Sequence, residues 1–267
     1  MENLPILLVS LLQTLPPEIL LIGEFLVCCM ALMMSLIFFG AKGLYVYIVI
    51  AIIMANVQVL KLVQFDLYSH PVALGTVLFA TSYLATDILV EQFGKKAGQK
   101  AIIIGFSAFL WWMILILLTL GYSPLTSDQT NTEESSAVQM HHEMMHIFLP
   151  QVRFFIAGVV SYLISQMTDI WLYHGLKILT RGRFLWLRNN VSTMLSALID
   201  NTIFSILAWV ILAPEPMPWD VLIGTYILGT YGLRVIIAAC DTPILYLARW
   251  IIRLRARDGD GSTCLTL

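Results

Sequence analysis

Residues 156–173 read Ile-Ala-Gly-Val-Val-Ser-Tyr-Leu-Ile-Ser-Gln-Met-Thr-Asp-Ile-Trp-Leu-Tyr. A membrane-spanning helix needs about 20 mostly apolar residues, and this run sits inside a stretch of that kind. Yet it carries Gln166 and Asp169. An ionisable side chain at the centre of the hydrocarbon costs at least about 2.5–3.5 kcal/mol on insertion scales, so such residues face a polar cavity or a partner. Tyr162, Gln166, Asp169 and Tyr173 recur at near-helical steps, which puts them on one face. The stretch therefore predicts a helix with lipid on one side and a polar interior on the other.

The same pattern recurs on either side of it. Asp87, Asp200, Arg234 and Asp241 each interrupt a long apolar run. Of the 267 residues, 59% are apolar and only 12% charged, with mean hydropathy +0.84. A soluble domain carries about 25% charged residues, so the composition places this chain in the membrane as an all-α polytopic helix bundle. Seven spans are predicted, at roughly 19–39, 44–63, 73–91, 100–122, 152–178, 190–212 and 221–248. They form one transmembrane domain over 19–250, between an N-terminal segment at 1–18 and a basic tail at 251–267. Turn signals at Gly40-Ala41-Lys42-Gly43, Phe93-Gly94-Lys95-Lys96 and Ala213-Pro214-Glu215-Pro216-Met217-Pro218 separate neighbouring spans. Lys and Arg crowd alternate connections: Lys42; Lys95, Lys96 and Lys100; Lys177, Arg181, Arg183 and Arg188; Arg249, Arg253, Arg255 and Arg257. Positive residues mark the cytoplasmic side, so the N-terminus is expected outside and the C-terminus inside.

Polar stripes mark the other inward faces. Thr76, Tyr83 and Asp87 share one; Thr193, Ser196 and Asp200 another; Thr230, Arg234 and Asp241 a third. The second span offers Asn56, with Gln58 and Lys61 on a neighbouring face. With the predicted orientation, Asn56, Asp200 and Arg234 fall near mid-bilayer, and Asp87, Asp169 and Asp241 fall toward the cytoplasmic half. Asp200 and Arg234 are expected to pair, since each would otherwise be an isolated charge. The Ser and Thr residues are read as interhelical hydrogen-bonding groups. The acids, the Arg, the Gln and the Asn are read as a binding site.

Competing chemistry is thin. His142-Glu143-Met144-Met145-His146 fits the H-E-x-x-H pattern of a zinc metalloprotease. It lies at the end of the polar stretch 123–151, which holds Asp128, Glu133, Glu134 and Glu143, and no glycine-marked downstream His follows. It is read as an amphipathic lead-in to the fifth span. No Walker motif is present, so the chain is not expected to hydrolyse ATP. The four cysteines show no zinc or redox spacing. No metal, cofactor, enzymatic activity or nucleic-acid partner is expected.

Several segments carry a family likeness: Phe39-Gly40-Ala41-Lys42-Gly43-Leu44-Tyr45; Ala55-Asn56-Val57-Gln58-Val59-Leu60-Lys61; Ala85-Thr86-Asp87 through Lys96; Ser165-Gln166-Met167-Thr168-Asp169-Ile170-Trp171; Trp186-Leu187-Arg188-Asn189-Asn190-Val191-Ser192-Thr193-Met194; Asp200-Asn201; and Asp241-Thr242-Pro243. Over about residues 39–250 the chain resembles the queuosine-precursor transporter family, also called the vitamin-uptake-like (VUT) family. The resemblance implies a multi-pass protein of the bacterial inner membrane that imports 7-cyano- or 7-aminomethyl-7-deazaguanine for tRNA modification. It also implies a six-helix core similar to the substrate-binding subunits of energy-coupling-factor vitamin transporters, with the first span as an extra N-terminal helix. A vitamin or another nucleobase is the alternative cargo. The family's last span usually carries Lys where this chain has Arg234. A lone carrier, a subunit docked on an ATPase module and a homo-oligomer all fit the sequence.

A deazaguanine is flat, with a donor-rich edge of N1–H and exocyclic amine. A carboxylate accepts two hydrogen bonds from such an edge, and Asn or Gln reads the carbonyl side. Candidate substrate-binding residues are therefore Asn56, Lys61, Asp87, Gln166, Asp169, Asn190, Asp200, Arg234 and Asp241, with Tyr83, Tyr162 and Trp171 as ring-face walls.

Overall fold

The computed structural model describes residues 3–66, 72–124, 134–149 and 151–257. The predicted acids Asp128 and Glu133, and the tail from residue 258, lie outside the described residues. In chain order the elements are α1 (Asn3–Gln13), α2 (Pro17–Gln58), β1 (Leu62–Val63), β2 (Val72–Ala73), α3 (Thr76–Phe93), α4 (Lys95–Leu120), α5 (Glu134–Phe148), α6 (Gln151–Leu179), α7 (Leu185–Ile206), α8 (Trp219–Val221) and α9 (Thr230–Arg257). Wider π-helical turns extend α7 over Leu207–Ile211 and lead into α9 over Leu222–Gly229.

Five stretches are long and apolar enough to cross a membrane: Pro17–Gln58, Lys95–Leu120, Ala137–Leu179, Leu185–Ile211 and Trp219–Leu254. Sidedness supports the membrane reading. Phe38, Phe39, Ile50, Trp111, Leu118 and Ile178 are exposed, while Asp87, Asp169, Gln166, Arg188 and Asn189 are buried. A soluble protein does the reverse. With mostly helical structure, this is an all-α, multi-pass membrane bundle.

Element α2 is not one rod. Gly40 sits at φ 60°, ψ −138°, far from helical values, a conformation that costs a glycine little and a side-chain-bearing residue much. A Cβ on Gly43 would stand 2.1 Å from the Ser35 carbonyl oxygen, so the two arms touch backbone to backbone. Gln58 Nε2 donates to Glu24 Oε1 at 2.7 Å. In a straight helix those residues would be about 51 Å apart at 1.5 Å per residue. The chain therefore reverses at Gly40 and its two arms run antiparallel, as the Gly40–Gly43 turn signal predicts. Gly94 (φ 89°) makes the corner between α3 and α4.

The predicted second span ran to residue 63, but α2 stops at Gln58. The chain there leaves the helix to pair Leu62 with Ala73 and Val63 with Val72. The main core joins Leu32, Leu36, Leu44, Ile48 and Ile52 of α2 to Leu84, Ile88 and Leu89 of α3, Ile102 of α4 and Ile170 of α6. Small residues bring α4 close: a Cβ on Gly98 would lie 2.5 Å from Val90 Cγ2.

Candidate functional site

Three polar layers are stacked along the bundle. The outermost is a cavity of about 210 Å³. Its walls are Phe79 and Tyr83 of α3, Phe154 and Tyr162 of α6, Phe204 and Trp209 after Asp200, and Tyr226 before α9. Leu60 and Leu62, also in its wall, are exposed, so the cavity reaches the surface at this end. Polar groups enter from Asn56, Ser161, Asp200, Asn201, Thr230 and Arg234. A mostly apolar, aromatic hollow with a few convergent polar groups is the usual form of a small-molecule site.

The Asp200–Arg234 pair expected from the sequence is present: Arg234 Nη1 donates to Asp200 Oδ2. Both side chains are only slightly exposed, at 10% and 13%. Tyr83 Oη donates to Ser165 Oγ at 2.7 Å, and Ser165 Oγ in turn donates to Asp200 Oδ1 at 3.2 Å. The Arg234 guanidinium also lies 5.7 Å from the Phe79 ring centroid. One carboxylate is thus held from two sides, and the guanidinium is fixed beside it. The π-helical turns serve this layer, since they carry Trp209 and Tyr226 into the wall. Asn201 steadies the second of them, donating Nδ2 to Ile227 O at 3.3 Å and Thr230 Oγ1 at 2.9 Å.

The middle layer holds Asp87, Asp169 and Asp241, none of which lines the cavity. Thr193 donates to Asp87 Oδ2 (3.3 Å), Ser196 to Asp169 Oδ1 (2.9 Å) and Asn189 to Asp241 Oδ1 (3.1 Å). So α7 supplies the donor for acids on α3, α6 and α9. Gln166, one turn outward of Asp169, is buried with neither amide atom partnered among the described residues.

The innermost layer centres on Glu91. Its carboxylate meets Arg188 Nη2 at 2.7 Å, Lys177 Nζ at 3.0 Å and Arg249 Nη1 at 3.8 Å. Tyr173 Oη donates to it at 3.4 Å. Arg188 is entirely buried. One carboxylate of α3 therefore ties α6, α7 and α9 together at the end of the bundle away from the cavity.

The remaining sequence candidates fall elsewhere. Lys61 is exposed beyond the end of α2, where its carbonyl accepts from Leu74 N at 2.9 Å. Its placement inside a span is corrected by the early helix stop. Asn190 donates to Thr242 Oγ1 and Trp186 O, both at 2.8 Å, and joins α7 to α9 outside the cavity. Trp171 is 64% exposed, with Lys95 Nζ 3.9 Å over its ring. Two residues past Asp169 is about 200° around a helix of 3.6 residues per turn, so Trp171 faces away from the site. The walls that sequence reasoning missed were within reach of the same periodicity. Phe79 is one turn from Tyr83, and Phe204 is one turn from Asp200. On α5, His142, Glu143 and His146 are exposed, and Glu143 accepts from Gln139 Nε2 at 2.8 Å. No group of three potential ligands converges on a metal position among the described residues.

Comparison with known proteins adds to this geometry. Residues 73–248 match the family described as "Putative vitamin uptake transporter". A protein of Bacillus subtilis (strain 168) named "Probable queuosine precursor transporter" is 31% identical over 215 residues, which is 80% of this chain and 86% of that protein. No solved structure matches. A family match across every helix from α3 to α9, together with a relative of this identity over four-fifths of the chain, shows that the protein belongs to the vitamin uptake transporter (VUT) family.

Proposed function

We propose that this protein imports a 7-deazaguanine precursor of queuosine across the inner membrane of a bacterium. The observation that carries the reading is the aromatic cavity with Asp200 and Arg234 set side by side in its wall. The polar edge of a deazaguanine places a carbonyl beside N1–H and an amine. Asp200 accepts from the N–H groups and Arg234 donates to the carbonyl, so the pair offers both functions side by side. Phe79, Tyr83, Phe154 and Tyr162 supply ring faces for a flat ligand. The family membership and the name of the B. subtilis relative support the same cargo. Of the other candidates, Asn56 is the natural second reader of the ring, since its amide nitrogen is tied to Ile52 O at 2.8 Å and its oxygen is left to accept.

The bundle is read as seven passes: the two arms of α2, then α3, α4, α6, the extended α7 and α9. The Lys and Arg bias places the N-terminus outside and Glu91 near the cytoplasm. The cavity then opens outward, toward cargo. The later six passes form the six-helix core, and the first arm of α2 is the added helix.

Complementation tests the reading. A host that neither makes nor imports the precursor is given this protein and low external 7-cyano-7-deazaguanine. Queuosine should return to its tRNA, and Asp200→Ala should abolish the return while the protein is still found in the membrane. Failure of the wild type at every precursor concentration, with vitamin uptake intact, would move the cargo to the vitamin class.

A further inference from the structure

The middle layer has more acceptors than donors. Asp87 Oδ1, Asp169 Oδ2 and Asn189 Oδ1 are buried and have no hydrogen-bond partner among the described residues. The Asp87 and Asp169 carboxyls stand within hydrogen-bonding reach of each other. Asp241 is close enough to act on both, and Asn189 is turned into the layer by its bond to Asp241. Buried polar atoms are nearly always satisfied, so the orphaned oxygens of two neighbouring carboxylates need a donor or a cation.

Among the described residues no neighbouring cation is free to supply it. From α6 come Asp169, Tyr173 and, one turn toward the cavity, Gln166, a neutral amide with neither atom partnered among the described residues; from α9, Asp241; from α2, Cys29 near Asp241. From α7 come the neutral donors Thr193, Ser196 and Asn189, already used. From α4 the chain packs with small Ala97, Gly98 and Ala101. Arg188 of α7 is engaged with Glu91, one turn inward on α3. No arrangement of three ligands for a metal exists among the described residues. A proton between Asp87 and Asp169 needs no such arrangement. It turns one orphaned oxygen into a donor and the other into its acceptor.

We infer that Asp87 and Asp169 form a proton-binding pair, braced by Asp241 and Asn189 and separate from the cargo cavity, and that the proton bound there is the one whose downhill movement drives import. The inference rests on the transporter reading for its second half only. Asp87 lies one turn, about 6 Å, inward of Tyr83 and one turn outward of Glu91. It therefore stands between the cargo layer and the inner ion-pair layer, where a bound proton bears on both.

Two measurements on the full-length protein in vesicles test this. Infrared difference spectra between acid and alkaline pH should show a buried carboxylic acid band that shifts in D2O. Asp87→Asn and Asp169→Asn should each remove it, and Asp241→Asn should move it without removing it. Melting temperatures of the variants near the wild-type value show that loss of the band is not loss of the fold. Absence of the band in the wild type overturns the pair whatever the cargo. In the second measurement, a pH gradient of one unit, acid on the cavity side, should raise internal 7-aminomethyl-7-deazaguanine by up to about tenfold at one proton per molecule. Either Asn variant should bring accumulation down to diffusive equilibrium. Accumulation driven by sodium instead, or kept in both Asn variants, overturns the coupling role. Wild-type vesicles that move no deazaguanine in any gradient would defeat the import reading, while the infrared band still decides the pair.

Discussion

Asp200 and Arg234 show what a single buried charge asks of its surroundings. Each is almost shut off from solvent, and each has the other as its ionic partner. Removing one partner of a buried pair leaves an uncompensated charge and costs about 3–5 kcal/mol. Asp200→Ala and Arg234→Ala should therefore each lower the melting temperature in detergent, and the charge-swapped double variant should recover part of the loss. Strictly additive losses would argue that the contact carries no coupling. Arg234→Lys is a finer probe. It keeps the charge but replaces a planar fork by a point, so uptake should persist with a higher KM and little change in protein level. This pair was legible in the sequence, because a charge halfway along an apolar run demands a partner. Glu91 and Arg188 were not legible as a pair, because at the ends of their spans they read as ordinary interfacial charges. Only the fold, which sets Arg188 of α7 against Glu91 of α3, reveals that Arg188 is buried. The placement of Lys61 inside a span differs for the opposite reason: the sequence stays apolar past Gln58, and nothing local announces that the helix stops there.

At the level of elements, the bundle depends on corners that only glycine makes at low cost. Gly40 (φ 60°, ψ −138°) reverses α2, and Gly94 (φ 89°, ψ 166°) turns α3 into α4. A side chain held in such a region costs about 1–3 kcal/mol. Gly40→Ala should destabilise the protein by that amount, while Gly23→Ala, where an added Cβ meets nothing within 4 Å, should be near neutral. Thermal unfolding of the two variants in the same detergent decides it, and equal stability would mean that the reversal tolerates a side chain. Both corners were visible as Gly-Lys clusters between apolar runs. The π-helical turns on either side of residues 212–218 were not. The widened turn at 207–211 follows a regular helical stripe and carries Trp209, which lines the cavity. Asn189 and Asn190 of α7 grip Asp241 and Thr242 immediately before Pro243, which breaks the hydrogen-bond ladder inside α9. A helix weakened at one point and held there by another is a natural place for bending.

For the whole molecule the three layers define a state. The outer cavity reaches the surface, and the inner end is drawn together around Glu91, which holds Lys177, Arg188 and Arg249 from three helices at once. A carrier must expose its site to each side in turn, so the structure corresponds to the form open at the cavity end. The opposite form requires this inner cluster to part. A site open at one end and sealed by an ion cluster at the other behaves as a two-state device, and its balance shifts only by the difference in contacts between the states. Glu91→Gln keeps the shape of the side chain and removes the charge that gathers the three cations. It should shift the population toward the form open at the Glu91 end without changing the cavity lining. The shift can be read by labelling a cysteine placed at Thr86, buried next to Asp87 of the middle layer, in a background with the four natural cysteines replaced. In the wild type a membrane-impermeant thiol reagent supplied from the side of the Glu91 cluster should react slowly with it. With Glu91→Gln the labelling rate should rise at least several-fold, and cargo should protect against labelling from the cavity side in the wild type but less in the variant. Equal labelling in the two backgrounds would mean that the Glu91 cluster holds the helices together without governing which side is open.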